Sequence, residues 1–319
     1  MANDSIDRVT VLGAGVLGGQ IAWHSAFKGK RVVLYDPFPD ALQRATVAQQ
    51  MYERIYRGQL GARDADIEAT RARLTATGDL AAAVADADLV IEAAPEVPEV
   101  KAEVYRAIAP LLPPSAIVAT NSSTLLPRDF ADLTGRPAQF CALHFANLIW
   151  ALNVAEVMAH AGTSPATLTA VTRFAIEIGQ VPIAVQKKRS GYVLNAWLKP
   201  LLTASLSVVV DGVATAEDVD RTFMIVNRGC TMGPFGTIDV IGMKTVYDVS
   251  AYWATVTGDA RMQRNADYIK ENFLDRGLQG MLGGQGFYTY PDPAYAAPDF
   301  LAVPGLAAVP ELVARMLRK

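Results

Sequence analysis

Short β-branched apolar runs alternate with amphipathic stretches from Val9 to Val185, and beyond Gly191 the short runs give way to long apolar helical stretches. Val9–Leu12, Val32–Tyr35, Leu74–Thr77, Ala87–Ala94, Ala116–Thr120, Phe140–His144, Asn153–Met158 and Val181–Val185 each predict a strand. Their near-continuous apolarity suits a sheet covered on both faces. Between them the helical period predicts helices over Gln20–Lys28, Asp40–Arg57, Asp64–Leu74, Asp79–Ala85, Glu99–Leu112 and Thr163–Ile178. Pro98 stands where a helix tolerates a missing N–H, Pro113-Pro114 ends that helix, and Gly179 closes the one after. No helix fits between Phe140–His144 and Asn153–Met158, so that pair predicts an antiparallel return inside an otherwise parallel sheet. The fold class expected is α/β, a Rossmann-type doubly wound, mainly parallel sheet, followed by an all-helical C-terminal domain. The helices of that domain are expected over Tyr192–Asp211, Ala216–Asn227, Val246–Val256 and Met262–Asn272, with the division at residues 1–188 and 189–319.

The first strand runs into Gly13-Ala14-Gly15-Val16-Leu17-Gly18, and the second ends on Asp36. A strand, a G-x-G-x-x-G turn, a helix and an acid about twenty residues on make up a dinucleotide-binding βαβ unit, where a lone glycine pattern would be weak. Gly13 permits the tight turn, Gly15 clears the approach of a pyrophosphate, and Gly18 lets helix and strand pack closely. The helix N-terminus beside Val16 and Leu17 offers free N–H groups to the anion. At a strand end Asp36 reads as the acceptor for both ribose hydroxyls of NAD rather than as a turn acid, and Pro37-Phe38-Pro39 brings no cation to hold a 2′-phosphate.

Composition narrows the class. A chain of 319 residues with 51% hydrophobic and 19% charged residues describes a well-buried globular protein, and its length favours two domains. A net charge of −3 provides no basic surface for nucleic acid, and Lys187-Lys188-Arg189 is too short a run to change that. The start, Met1-Ala2-Asn3-Asp4-Ser5, lacks a signal-peptide pattern, and there is no uninterrupted apolar run of about 18 residues, so a cytoplasmic protein without a membrane partner is expected. Cys141 and Cys230 show no metal or redox spacing and are expected to be reduced core residues; no metal is expected. Tyr192 to Val210 carries Leu194, Trp197, Leu198, Leu201, Leu202, Leu206, Val208, Val209 and Val210, wider than one core-facing stripe, which predicts a homodimer through the C-terminal helices.

Four polar residues stand where a structural role is awkward. His144 ends an apolar strand, Glu156 lies within Val154-Ala155-Glu156-Val157-Met158, Ser123 follows a sheet strand at its carboxyl edge, and Asn195 opens an apolar helix. A buried glutamate needs a donor, and His144 is the natural one. A carboxylate behind an imidazole makes a general acid/base for alcohol–ketone interconversion. His144 alone would read as a satisfied core histidine; with Glu156 behind it and a dinucleotide site upstream, the catalytic reading prevails.

These segments carry a resemblance. Asn121-Ser122-Ser123-Thr124, Leu143-His144-Phe145-Ala146-Asn147, Ala155-Glu156-Val157-Met158, Gly191-Tyr192-Val193-Leu194-Asn195, Met232-Gly233-Pro234-Phe235 with Asp239, and Gly284-Gln285-Gly286-Phe287-Tyr288 follow in the order of the L-3-hydroxyacyl-CoA dehydrogenase family. The chain resembles that family over essentially its whole length, in particular its diketoreductase branch. The resemblance implies NAD as cofactor, His144 as catalytic base, Glu156 as its orienting partner, Ser123 and Asn195 beside the substrate oxygen and the imidazole, and Glu96, Lys101, Asn121 and Asn147 in the NAD site. From the residues alone, Lys101 could equally be a solvated helix residue.

The sequence also departs from the family pattern. Asn147-Leu148 stands for the usual Asn-Pro and brings Trp150 towards the expected substrate mouth. Met281-Leu282-Gly283 replaces a stretch where many members carry lysines near the cofactor. The helical pair after Asp36 has no lysine for a CoA 3′-phosphate, leaving Arg44, Arg54, Arg57, Arg71 and Arg73 as substitutes. The expected activity is hydride transfer between NAD(H) and a 3-oxo/3-hydroxy compound, as an acyl thioester or a β-keto or diketo acid or ester. A sugar-acid or carnitine-like 3-hydroxy acid dehydrogenase and a non-catalytic cofactor-binding protein are the alternatives.

Overall fold

The computed structural model describes residues 5–317, except for the side chains of Leu202, Thr203, Ser207, Asp220 and Tyr252. In chain order the first elements are β1 (Arg8–Leu12), α1 (Val16–Phe27), β2 (Arg31–Tyr35), α2 (Pro39–Leu60), α3 (Asp64–Arg73), β3 (Leu74–Thr77), α4 (Leu80–Val84), β4 (Leu89–Glu92), α5 (Pro98–Ile108) and β5 (Ile117–Thr120). β6 (Phe140–Phe145), β7 (Val154–Met158), α6 (Pro165–Glu177) and β8 (Val181–Val185) complete the sheet region. The strands form one sheet in the order β3-β2-β1-β4-β5-β6-β7-β8. Every neighbouring pair is parallel except β6 and β7, the antiparallel return expected of two strands with no helix between them. β4, β5 and β6 are buried along their whole length, because helices lie on both faces.

The helical region contains α7 (Leu194–Val210), α8 (Ala216–Val226), α9 (Pro234–Ile241), α10 (Met243–Thr257), α11 (Ala260–Asn272) and, near the end, α12 (Val309–Met316). Two compact units result: Met1–Thr203 with Val303–Lys319, and Ala204–Ala302. By compactness these units differ from the expected division between residues 188 and 189 in two ways. The passage between units falls inside α7, between Thr203 and Ala204. The C-terminal segment returns to the sheet unit because Val309, Val313 and Met316 of α12 make one apolar stripe, buried in the cluster that holds Leu168, Val171 and Phe174 of α6.

Within the second unit, Asp239 is buried and accepts the N–H groups of Phe287 (2.9 Å) and Tyr288 (2.9 Å) and the hydroxyl of Tyr290 (3.0 Å). A Cβ at Gly280 would come 2.5 Å from the Asp239 carbonyl oxygen, so the backbone approach requires glycine. Cys141 is buried in the sheet, and burial pushes its thiol up to about 12, leaving it inert. Cys230 corrects the expectation of a second core cysteine: it is exposed, in the turn after α8. Among the described residues no helix is long and apolar enough to cross a membrane, and no group of His, Cys, Asp and Glu suits a metal.

A buried histidine unrelated to the sheet edge sets an acid sensitivity. His24 of α1 lies 2.8 Å through Nε2 from the Ile178 carbonyl, to which it donates, and accepts the Tyr56 hydroxyl at Nδ1 (2.7 Å). Burial pushes its pKa down to about 4, with Lys28 adding to the effect and the Ile178 carbonyl opposing it. An unfolded histidine takes up its proton near 6.5, so the native state binds fewer protons between about pH 6.5 and 4, and stability falls as pH falls through that window. The full loss is about 3 kcal/mol, level below it. Urea unfolding of wild type and His24→Asn at pH 7.5 and 4.5 should show a smaller pH effect in the variant. Equal pH effects would contradict this.

Candidate active site

The dinucleotide turn is built from backbone constraints. Gly13 has φ +110°, donates its N–H to the Tyr35 carbonyl (2.8 Å), and a Cβ there would come 2.6 Å from the Ala93 carbonyl oxygen. A Cβ on Gly18 would collide with the Gly13 carbonyl oxygen, so turn and helix pack only as glycines. Gly15 faces open space, and α1 begins there without a side-chain cap, leaving its first N–H groups for an anion. Val16 beside it is exposed and Leu17 half-buried. Asp36 accepts the Ala14 N–H at Oδ2 (2.8 Å) and the Phe38 N–H at Oδ1 (3.0 Å). A carboxylate has about four acceptor positions, so about two remain for the hydroxyls of a ribose. The residues present fit a dinucleotide.

Next to this turn, at the carboxyl edge of the same sheet, the β5–α5 side is held by a buried carboxylate. Glu92, fully buried, accepts Lys101 Nζ (2.6 Å) and the Ala94 N–H (2.8 Å) at Oε1, and the Tyr105 (2.5 Å) and Thr120 (2.9 Å) hydroxyls at Oε2. Such a charge is tolerated because all its acceptor positions are used. Lys101, expected in the NAD site, is 1% exposed, and its ammonium is directed to Glu92, the Ala94 carbonyl (3.0 Å) and Glu96 (3.4 Å). Glu96 in turn accepts the Ser122 hydroxyl (2.6 Å) and the Thr124 N–H and hydroxyl (both 2.8 Å). Burial raises the Glu96 pKa, but these donors and Lys101 outweigh it and hold the carboxyl below its ordinary value. The expected cofactor residues Glu96 and Lys101 thus form one network that fixes the Asn121–Thr124 loop. Glu92 was legible by the rule applied to Glu156, an acid inside an apolar strand, and was not singled out.

The loop delivers Ser123 to His144. His144 and Glu156 are register partners across the antiparallel pair β6–β7, and both are buried. Nδ1–H donates to Glu156 Oε2 (2.8 Å), and Nε2 lies 3.2 Å from Ser123 Oγ. The carboxylate fixes the tautomer, so Nε2 is the nitrogen left facing Ser123. Glu156 Oε1 accepts the backbone N–H groups of Val193 (2.7 Å) and Leu194 (2.8 Å), the start of α7, so one carboxylate binds both the imidazole and a helix N-terminus. The Tyr192 ring stacks on the imidazole, 5.2 Å between centroids and 8° between planes.

The other expected residues are placed as follows. Asn121 is buried, its Oδ1 accepting the Phe145 N–H (2.9 Å), so it ties β5 to β6 next to His144. Asn147 is exposed in the β6–β7 loop. Gln20 of α1 accepts the Leu148 N–H (2.8 Å) and holds that loop, where Leu148 has φ +59°. Asn195 is half-buried in the first turn of α7, with no side-chain hydrogen bond among the described residues. Trp150, expected at the substrate mouth, packs on Tyr52 and Tyr56 of α2, and its Nε1–H donates to Gln59 (3.0 Å). The turn that begins at Leu148 carries the indole to α2, where the apolar side of that helix covers it.

The comparisons with known proteins agree with this geometry. Residues 8–189 match the model of the 3-hydroxyacyl-CoA dehydrogenase NAD-binding domain, and residues 191–290 that of its C-terminal domain. The chain is 32% identical over 282 residues to a Deinococcus radiodurans protein named "Probable 3-hydroxybutyryl-CoA dehydrogenase", covering 88% of this chain and 99% of the relative. It is 28% identical over 290 residues to human mitochondrial hydroxyacyl-coenzyme A dehydrogenase, covering 89% and 91%. The solved structure of a diketoreductase, described as acting on dicarbonyl compounds, is 43% identical and superposes with a TM-score of 0.65 over 90% of this chain and 99% of that one. The chain therefore belongs to the 3-hydroxyacyl-CoA dehydrogenase family, as an NAD-dependent oxidoreductase.

Proposed function

We propose that the chain interconverts a 3-oxo and a 3-hydroxy compound with His144 as acid/base and Glu156 as its orienting partner, and that it prefers a small β-keto or diketo acid or ester. The observation that carries this reading is the in-line set Glu156–His144–Ser123 at the sheet edge that also bears the glycine turn. NADH, once bound, supplies the hydride. In reduction His144 gives the Nε2 proton to the carbonyl oxygen, and in oxidation Nε2 takes it back. Ser123 is close enough to Nε2 to donate to the same oxygen as charge develops on it. Glu156 holds Nδ1–H and balances the charge on the protonated ring. Asn195, one residue past the amides that bind Glu156, is the further polar group that this reading assigns to the substrate oxygen.

The preference for a small substrate has two supports. Arg57 pairs with Glu53 (3.5 Å) and Asp64 (3.0 Å), and Arg71 with Glu53 (2.5 Å), so two of the arginines available to a CoA phosphate are already neutralised. The diketoreductase likeness points the same way. NADH consumption measured side by side with acetoacetyl-CoA and a diketo ester should show the larger kcat/KM for the diketo ester. Turnover of acetoacetyl-CoA alone would contradict the preference.

The same reading includes a homodimer through the helical unit. Leu206 and Val210 of α7, Val213 just beyond it, and Met224 and Val226 of α8 are all more than 60% exposed, apolar side chains that a second copy would cover. Leu202, which the sequence pattern also offers, has its side chain outside the described residues. Light scattering at micromolar protein should give twice the chain mass; a monomer mass would contradict it.

A further inference from the structure

We infer that Tyr192 is a positioning residue for His144, its ring fixing the plane of the imidazole while its hydroxyl ties that ring to the loop carrying Ser123. The inference rests on the role given to His144 above. Three observations carry it. The rings lie face to face, 8° from parallel, and Tyr192 is 1% exposed, so one face of the imidazole is closed to water. The Tyr192 hydroxyl donates to the Leu125 carbonyl (3.2 Å), two residues beyond Ser123. Tyr192 also has φ +49°, and among the described residues only Leu148 is a second non-glycine residue with positive φ.

The backbone explains why the side chain matters. Gly191 (φ +81°) and Tyr192 make two successive left-handed residues, which turn the Val193 and Leu194 N–H groups onto Glu156. A glycine at 192 would adopt that turn without strain, so the tyrosine is there at a conformational cost, and what it adds is the ring. The hydrogen bonds from Nδ1 to Glu156 and between Nε2 and Ser123 lie at the imidazole edges. Once the Ser123 hydroxyl turns to a substrate oxygen, the bond to Glu156 is the one hydrogen bond to the protein that the imidazole edges keep, and a ring held by the protein at one edge can tilt. The stacked tyrosine restrains that tilt. Misplacing a reacting group by about 1 Å can cost on the order of a hundredfold in rate, so the restraint acts on kcat.

Purified Tyr192→Leu and Tyr192→Phe, each in wild-type and His144→Ala backgrounds, test this with NADH and the diketo ester. Tyr192→Leu should lower kcat about tenfold or more. Its NADH dissociation constant, read by fluorescence titration, should be unchanged, which shows that the sheet unit is folded. Tyr192→Phe keeps the stack and should restore most of kcat. In the His144→Ala background, Tyr192→Leu should cost nothing further, because it acts through the imidazole. A wild-type kcat in Tyr192→Leu, a parallel loss of NADH affinity, or a further loss without His144 would overturn the inference while leaving His144 in place. A wild-type kcat in His144→Ala alone would instead overturn the reading of His144, and this one with it.

Discussion

His144→Ala is expected to lower kcat by about 10²–10⁴-fold, the usual contribution of a positioned general acid or base. The imidazole is the titratable side chain that Glu156 and Ser123 bracket at the sheet edge, and no second histidine is near enough to replace it. Among the chain's three histidines, His24 is committed to Tyr56 and Ile178, and His160 to the Pro137 carbonyl. NADH affinity should change little, because the glycine turn, the start of α1 and Asp36 make no contact with His144. Loss of kcat with the NADH dissociation constant retained is therefore the signature sought, measured by stopped-flow absorbance and fluorescence titration on the same preparation. A variant that lost cofactor binding and turnover together would point to a structural role.

Asp36→Ala is expected to weaken NADH binding and to narrow the gap between NADH and NADPH. The Asp36 carboxylate already accepts the Ala14 and Phe38 N–H groups, one at each oxygen, which leaves about two acceptor positions beside the glycine turn. A 2′-phosphate placed there would set two negative charges about 4 Å apart, costing about 1 kcal/mol in water and about 4 kcal/mol at a protein surface. Wild type should thus prefer NADH roughly tenfold to a thousandfold. Pro37, Phe38 and Pro39 bring no cation that could offset this. Dissociation constants for both cofactors with wild type, Asp36→Ala and Asp36→Asn decide the point. Equal use of NADH and NADPH by wild type would contradict it.

The strands were legible because each is a short apolar run bounded by turn residues, and every one of them lies within a few residues of its expected position. Pairing across β6 and β7 was legible from the missing helix between them, and it sets His144 opposite Glu156. Two helices escaped the pattern. α9 is a short helix framed by glycines, and α12 follows a Pro- and Ala-rich stretch that hides its Val309, Val313 and Met316 stripe. Within the site, residue type identified His144, Glu156 and Ser123, whereas Lys101 and Trp150 depended on partners distant in sequence. Lys101 was unreadable without Glu92, and Trp150 without Tyr52, Tyr56 and Gln59 of α2. Tyr192 gave no sign of its role, since a stacked ring at positive φ is a property of the folded backbone.

The central claim is that His144 and Glu156 act as one unit, and a double-mutant cycle on kcat tests it most directly. Glu156→Gln keeps the shape of the side chain and its acceptor for the α7 amides but removes the charge behind Nδ1, so it should lower kcat in the presence of His144. Residues that act as a unit are not additive, so the double variant should be no slower than His144→Ala alone. Losses that multiply, with the double variant slower than His144→Ala by the full factor of Glu156→Gln, would show that Glu156 works elsewhere and contradict the dyad.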